Sequence, residues 1–189
     1  MAAKQDAIPF TGDPDADALL AREPLALLIG FALDQQVPVQ TAFSGPLKLE
    51  QRLGSLDAGT IARTDPALLE AVFREKPAIH RFPGNMARRV QELCAVVDQE
   101  YGGDAETVWT EAQDAADLER RLHALPGFGD MKVTALGSVL AKRLGVAAAQ
   151  PLVPPYPTLG DVDSAEALAA YQAAKRAHKA ELRARGGQA

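Results

Sequence analysis

The sequence predicts an all-α protein, and three observations carry that reading. Alanine and leucine abound while aromatic residues make up only 5% of 189 positions, which favours helices over sheets. Apolar residues recur three and four positions apart in stretch after stretch. The stretches are punctuated by helix-start pairs such as Asp13-Pro14 and Asp65-Pro66 and by glycines at their ends.

Residues 1–12 are polar and irregular, with Pro9 and Gly12, and read as a frayed arm. Asp13-Pro14 supplies an N-cap and a proline at the first helical position, opening a short helix to about Ala21. Pro24 opens the next, in which Leu25, Leu28, Ile29, Ala32 and Leu33 fall at helical spacing and predict deep burial. It closes in Asp34-Gln35-Gln36-Val37-Pro38, where Pro38 biases Val37 away from helix. The chain resumes with Val39, Ala42 and Phe43, and Gly45-Pro46 is expected to break it before a short helix over 47–53. Residues 57–64 form another helix, and Asp65-Pro66 restarts the chain into Leu68, Leu69, Val72 and Phe73.

Residues 77–82 read as a connector carrying Ile79, His80, Arg81 and Phe82. Pro83 opens a clear amphipathic helix: Met86, Val90, Leu93, Cys94, Val97 and Tyr101 share one face, with Arg88, Arg89, Gln91 and Glu92 off it. Gly102-Gly103 ends that helix, and Trp109 follows as a core aromatic. Helices over 114–124 and 131–144 flank Leu125-Pro126-Gly127-Phe128-Gly129. The prolines 151, 154, 155 and 157 predict an extended connector after residue 147. Ser164 then begins an alanine-rich, cationic terminal helix. The expected organisation is an arm and short helix (1–24), a helical core (25–146) and a connector with a final helix (147–189).

Composition narrows the chemistry. A hydrophobic fraction of 47% allows a sizeable core. A net charge of −5 argues against bulk attraction to nucleic acid but leaves room for a local basic patch. Cys94 is the single cysteine, so an internal disulfide, a four-cysteine iron–sulfur cluster and a multi-thiolate zinc site are all excluded. No leader peptide or membrane-length apolar run is visible, which predicts a cytoplasmic chain.

The stretch around Gly127 and Gly129 has two readings. Glycine takes positive φ freely and lets another backbone come close, and a helix start offers unpaired N–H groups and partial positive charge. A phosphate clamp follows from that; an ordinary glycine-capped turn fits equally well. Asp34, Gln35 and Gln36 either satisfy the end of their own helix or face a pocket. His80 and Arg81 precede a helix start that favours anions, so they meet a phosphate of the DNA or form an exposed pair with no role. Lys132, in the first turn beside the hairpin, is the lysine expected to meet a phosphate. The cations of the last helix lie against a phosphate backbone or are simply solvated.

Taken together, three stretches resemble the helix-hairpin-helix (HhH-GPD) superfamily of base-excision DNA glycosylases: Leu33-Asp34-Gln35-Gln36-Val37, the entry into a cationic helix over 82–90, and Leu125-Pro126-Gly127-Phe128-Gly129 with its following helix. The resemblance spans residues 25–146 and includes a compact actinobacterial-type branch that also reads Asp-Gln-Gln-Val-Pro and Leu-Pro-Gly-Phe-Gly. It implies a two-lobed helical fold with double-stranded, damaged DNA across the cleft. Gly127, Phe128 and Gly129 would hold a phosphate, with a monovalent cation on the carbonyls of Leu125 and Gly127. Gln35 and Gln36 would face the DNA, Gln36 entering the space left by an everted nucleotide. It further implies a nucleoid-associated monomer with no other cofactor.

The chain departs from the superfamily pattern in three ways. Met131 stands where bifunctional relatives carry a nucleophilic lysine, and Lys132 next to it is turned by about 100° around a helix. Residues 147–151 contain no carboxylate where the family places a catalytic aspartate. Cluster cysteines are missing. Asp34 is therefore the expected catalytic carboxylate, with Asp161 as a weaker candidate. The expectation is a monofunctional DNA N-glycosylase, with an alkylated base attractive as a ready leaving group. The alternatives are an inactive lesion-binding protein of glycosylase descent or a helical interaction module.

Overall fold

A computed structural model describes residues 5–186, and among them the chain is helical with no strand. The helices are α1 (Pro14–Arg22), α2 (Pro24–Leu33), α3 (Val39–Leu53), α4 (Ala58–Arg63), α5 (Pro66–Arg74), α6 (Pro83–Tyr101), α7 (Thr107–Thr110), α8 (Ala115–His123), α9 (Asp130–Arg143) and α10 (Ala165–Gly186). Residues 1–4 and 187–189 lie outside the described set.

Helix α2 is the axis of the molecule. Its last nine residues are all buried, so it is apolar all round because other elements surround it. Two glycines let α3 come close. A Cβ at Gly30 would stand 2.4 Å from the Phe43 ring, and one at Gly45 would stand 2.4 Å from Leu33 Cδ1. Phe43 in turn makes edge contacts with Phe10 and Phe31, each at 5.0 Å between ring centres. Helices α4 and α5 pack on α6, which also packs on α2.

Three sequence expectations change here. Helix α3 continues unbroken through Gly45-Pro46. An interior proline costs roughly 3 kcal/mol of helix propensity, but burial of α3 against α2 outweighs the local preference. The described part of the arm is anchored rather than frayed: Ile8 and Phe10 are fully buried, and the Asp17 carboxylate accepts from Phe10 N at 3.1 Å and from Thr11 N at 2.9 Å. The proline-rich connector is not extended throughout. It folds into two 3-10 turns, Ala147–Leu152 and Leu159–Asp161, that pack on α9. Gly137 makes room for this, since a Cβ there would stand 3.0 Å from Leu152 Cβ.

Candidate functional site

The end of α2 has an unusual backbone. Asp34 has φ −73° and ψ 69°, and Gln35 N donates to Leu33 O at 2.7 Å. These values define an inverse γ-turn centred on Asp34. Gln36 then takes φ 58°, the one positive φ at a non-glycine position among the described residues. A left-handed glutamine is strained, and such strain persists where surrounding structure enforces it.

His80 does the enforcing. It is 2% exposed, and its Nε2 donates to the carbonyls of Leu33 and Gln35, both at 3.1 Å. Its Nδ1 accepts from Phe82 N at 3.0 Å. Both nitrogens are thus used by the neutral ring, and burial lowers its pKa despite the two carbonyls that favour the charged form. The expected phosphate contact at His80 is therefore corrected: the ring braces the turn from inside. Arg81 stays at the surface with its guanidinium 5.2 Å over the Phe82 ring.

Lys132 also differs from expectation. Its Nζ donates to Ala32 O at 3.2 Å and lies 5.9 Å from the centre of the Phe128 ring. It reaches inward to the end of α2 rather than outward to a phosphate. Burial lowers its pKa to about 8; Asp34 opposes that shift and Arg89 adds to it. Burial likewise raises the Asp34 carboxyl, against the pull of Lys175 and Lys132. A half-buried carboxylate and a half-buried ammonium therefore share one electrostatic neighbourhood at the junction of α2 and α9.

The hairpin is joined to this turn by Arg89. Arg89 Nη1 donates to Gln35 Oε1 at 3.0 Å. The same guanidinium lies 2.9 Å from where a Cβ at Gly127 would stand. Gly127 has φ 82°, as a tight turn requires. Gly129, at φ −88° and ψ −178°, adopts backbone any residue could take, and a Cβ there would meet nothing within 4 Å. Phe128 is 4% exposed, so its side chain belongs to the core and only its main chain could face a ligand. Phe128 N donates to Leu125 O at 3.1 Å and Val133 N to Gly129 O at 3.0 Å. The first-turn N–H groups between them are those an α-helix leaves without internal partners.

Between the turn and α6 lies an open groove of about 440 Å³, lined by Gln35, Gln36, Phe82, Asn85, Met86, Arg88, Arg89 and Glu92. Both glutamines are exposed there. Asp161 takes no part in it. It caps its own 3-10 turn by accepting from Thr158 N at 2.8 Å and is paired with Lys142. Burial raises the Asp161 pKa, yet the Lys142 and Thr158 contacts outweigh this and leave it lowered. Lys142 lies ten residues along α9 from Lys132, about 15 Å, so the weaker carboxylate candidate is corrected to a structural cap.

Several site residues were not singled out from sequence. Arg89 looked like one of several solvated charges on α6. Asp130 sits in the first turn of α9, its side chain 98% exposed, with His123 Nε2 3.6 Å away. It places an acid at the helix start where an anion would sit. Gln172 of α10 exchanges hydrogen bonds with Gln40 at 2.8 and 3.1 Å, and Tyr171, whose pKa burial and Asp34 both raise, covers the same region. Cys94 is the expected inert core thiol, its pKa pushed up to about 12 by burial. Among the described residues no group of His, Cys, Asp and Glu could hold a metal ion, and no helix is long and apolar enough to cross a membrane.

Comparison of the chain with protein-family models, curated proteins and solved structures finds no match. The described residues are thus all-helical, with a strained, polar turn and a Gly-x-Gly hairpin on either side of Arg89, beside an open groove.

Proposed function

We propose that the chain binds damaged double-stranded DNA and hydrolyses the N-glycosidic bond of an everted nucleotide, as a monofunctional glycosylase with a two-lobed HhH-GPD-like fold. One observation carries the reading: Arg89 bonds Gln35 and packs beside Gly127, so that a carboxylate, two exposed amides and the hairpin main chain share one side of the molecule. The open space over Gly129 adds to it. A Cβ at Gly129, the N-cap of α9, would meet nothing within 4 Å, so the main chain there is open to an approaching phosphate.

In this reading the hairpin and the first turn of α9 hold a phosphate. Gln36, held in its left-handed conformation, fills the gap left when the nucleotide swings out. Asp34 acts ionised, stabilising positive charge on the sugar as the bond between C1′ and the base nitrogen breaks. The base leaves with the electron pair, and water adds to C1′ and gives up a proton. An alkylated purine needs least help, because it is already cationic while bonded to the sugar and leaves as a neutral base. Main-chain oxygens of Leu125 and Gly127 are the donors for a monovalent cation; the Leu125 oxygen keeps one lone pair beyond its bond from Phe128 N. Function in the cytoplasm on the nucleoid, as a monomer, belongs to the same proposal.

The test is a panel of lesion-bearing duplexes with excision read by alkali cleavage. Release of a base supports the enzyme. Retained duplex binding with no release from any lesion leaves the second reading, a lesion-binding protein without turnover. The half-buried Asp34, whose ionised form burial disfavours, favours that second reading.

A further inference from the structure

The outer half of α10 is exposed along its whole described length. Leu168 is buried and Tyr171 and Gln172 are half-buried, but every residue from Ala173 to Gly186 is exposed. At about 1.5 Å per residue the free part projects roughly 20 Å beyond the body. Such a length of unsupported helix is held only by local preference, and the alanines along it supply that.

Its charge is one-sided. Residues 173–186 carry Lys175, Arg176, Lys179, Arg183 and Arg185 against the single acid Glu181, in a chain whose net charge is −5. With about 100° between successive residues, Lys175, Arg176, Lys179 and Arg183 fall within one arc of about 100°. Leu168 and Gln172 lie on that same arc. The face that seats α10 on the body thus continues outward as a basic stripe, on the side of the molecule where Lys175 feels Asp34 and Gln172 meets Gln40. Like charges spaced i, i+4 oppose one another in a free helix. A polyanion lying along the stripe would relieve that repulsion.

We infer that the free half of α10 is a phosphate-binding arm, which takes the backbone of duplex DNA flanking the nucleotide held at the Asp34 turn. This rests on the reading above and extends the contact surface well beyond the hairpin. Each lysine or arginine that neutralises a phosphate releases counterions, so the arm contributes to the salt dependence of binding without reading sequence.

The experiment compares the full chain with its Arg176→Ala/Lys179→Ala/Arg183→Ala variant, leaving Lys175 beside Asp34 intact. Binding of a fluorescent undamaged duplex is followed by anisotropy from 50 to 300 mM salt. Alanine keeps the helix, which circular dichroism checks. The arm predicts about tenfold or greater loss of affinity near 0.1 M salt and a log–log salt slope shallower by about 2 to 3. Unchanged affinity and slope in the triple variant, with weakened binding in Gly127→Ala, overturns the arm and leaves the hairpin reading standing. Absence of duplex binding by the unaltered chain overturns both. Tighter association with anionic phospholipid vesicles than with the duplex would also overturn it, assigning the stripe to a membrane surface.

Discussion

Arg89 Nη1 donates to Gln35 Oε1 at 3.0 Å, joining residues 54 positions apart in the chain. The same guanidinium packs beside Gly127, so Arg89 sits between the turn and the hairpin. Gly127 is the point where the two can be pried apart. A Cβ there would stand 2.9 Å from Arg89 Nη1, on a backbone at φ 82°. Gly127→Ala is therefore expected to cost about 1–2 kcal/mol of stability from the left-handed conformation. It should also displace Arg89 and weaken duplex binding alike for every sequence. Urea melts and anisotropy titrations check the two parts, and an unchanged duplex affinity would count against the clamp.

Asp34→Asn separates chemistry from folding. Burial raises the Asp34 pKa, so between its unfolded and folded values the native state binds more protons than the unfolded chain. Stability attributable to this residue thus falls as pH rises through that window and stays lower above it. The asparagine variant should lack this slope and be at least as stable at neutral pH, while losing all excision. Excision by the unaltered chain should decline as pH is lowered through the raised Asp34 pKa, since the carboxylate acts ionised. Full activity in the variant would remove Asp34 from the mechanism.

Much of this was legible in the sequence, and what was not has a common cause. Asp13, Asp57 and Asp65 cap the helices they were expected to open, and Gly54 and Gly102 end theirs in the left-handed conformation. Those signals are local. The continuity of α3 through Pro46 depends on Gly30 and Gly45 admitting a neighbouring helix. The role of His80 depends on a carbonyl 47 positions away, and Lys132 bonds one 100 positions away. Polar side chains with distant main-chain partners leave no periodic mark. Arg89 and Lys175 were legible only as members of cationic helices, and nothing local marked them out from the other cations beside them.

His80→Gln should loosen the turn from within. The ring satisfies the carbonyls of Leu33 and Gln35 and the N–H of Phe82 from a rigid frame, whereas a glutamine must fix a longer, flexible chain to hold the same three partners. Leaving one or two buried groups unpaired costs about 1–3 kcal/mol. The His80 pKa is lowered from 6.5, chiefly by burial, so the unfolded chain takes up a proton first on acidification. Native stability is expected to drop as pH falls below about 6.5 and to level off beneath the folded pKa. The glutamine variant, less stable at pH 7, should show a smaller drop over that range. Equal pH slopes for the two proteins in chemical denaturation would contradict the assignment of His80 as the neutral brace.

Gln36→Gly sets stability against function at the strained position. Gln36 holds φ 58° while its side chain is exposed in the groove, so its amide contributes little packing. Glycine reaches the same conformation without the roughly 1–2 kcal/mol that a side chain costs there. Glycine also gives the unfolded chain more freedom, which takes back part of the gain. The net expectation is a stability unchanged or raised by up to about 1 kcal/mol. If Gln36 fills the space of an everted nucleotide, the same variant should lose its preference for a duplex carrying an abasic-site analogue over an intact one, by about tenfold, while binding the intact duplex as before. Competition titrations with the two duplexes measure this directly. A variant that is destabilised yet keeps its preference would show that Gln36 serves the fold and not the DNA.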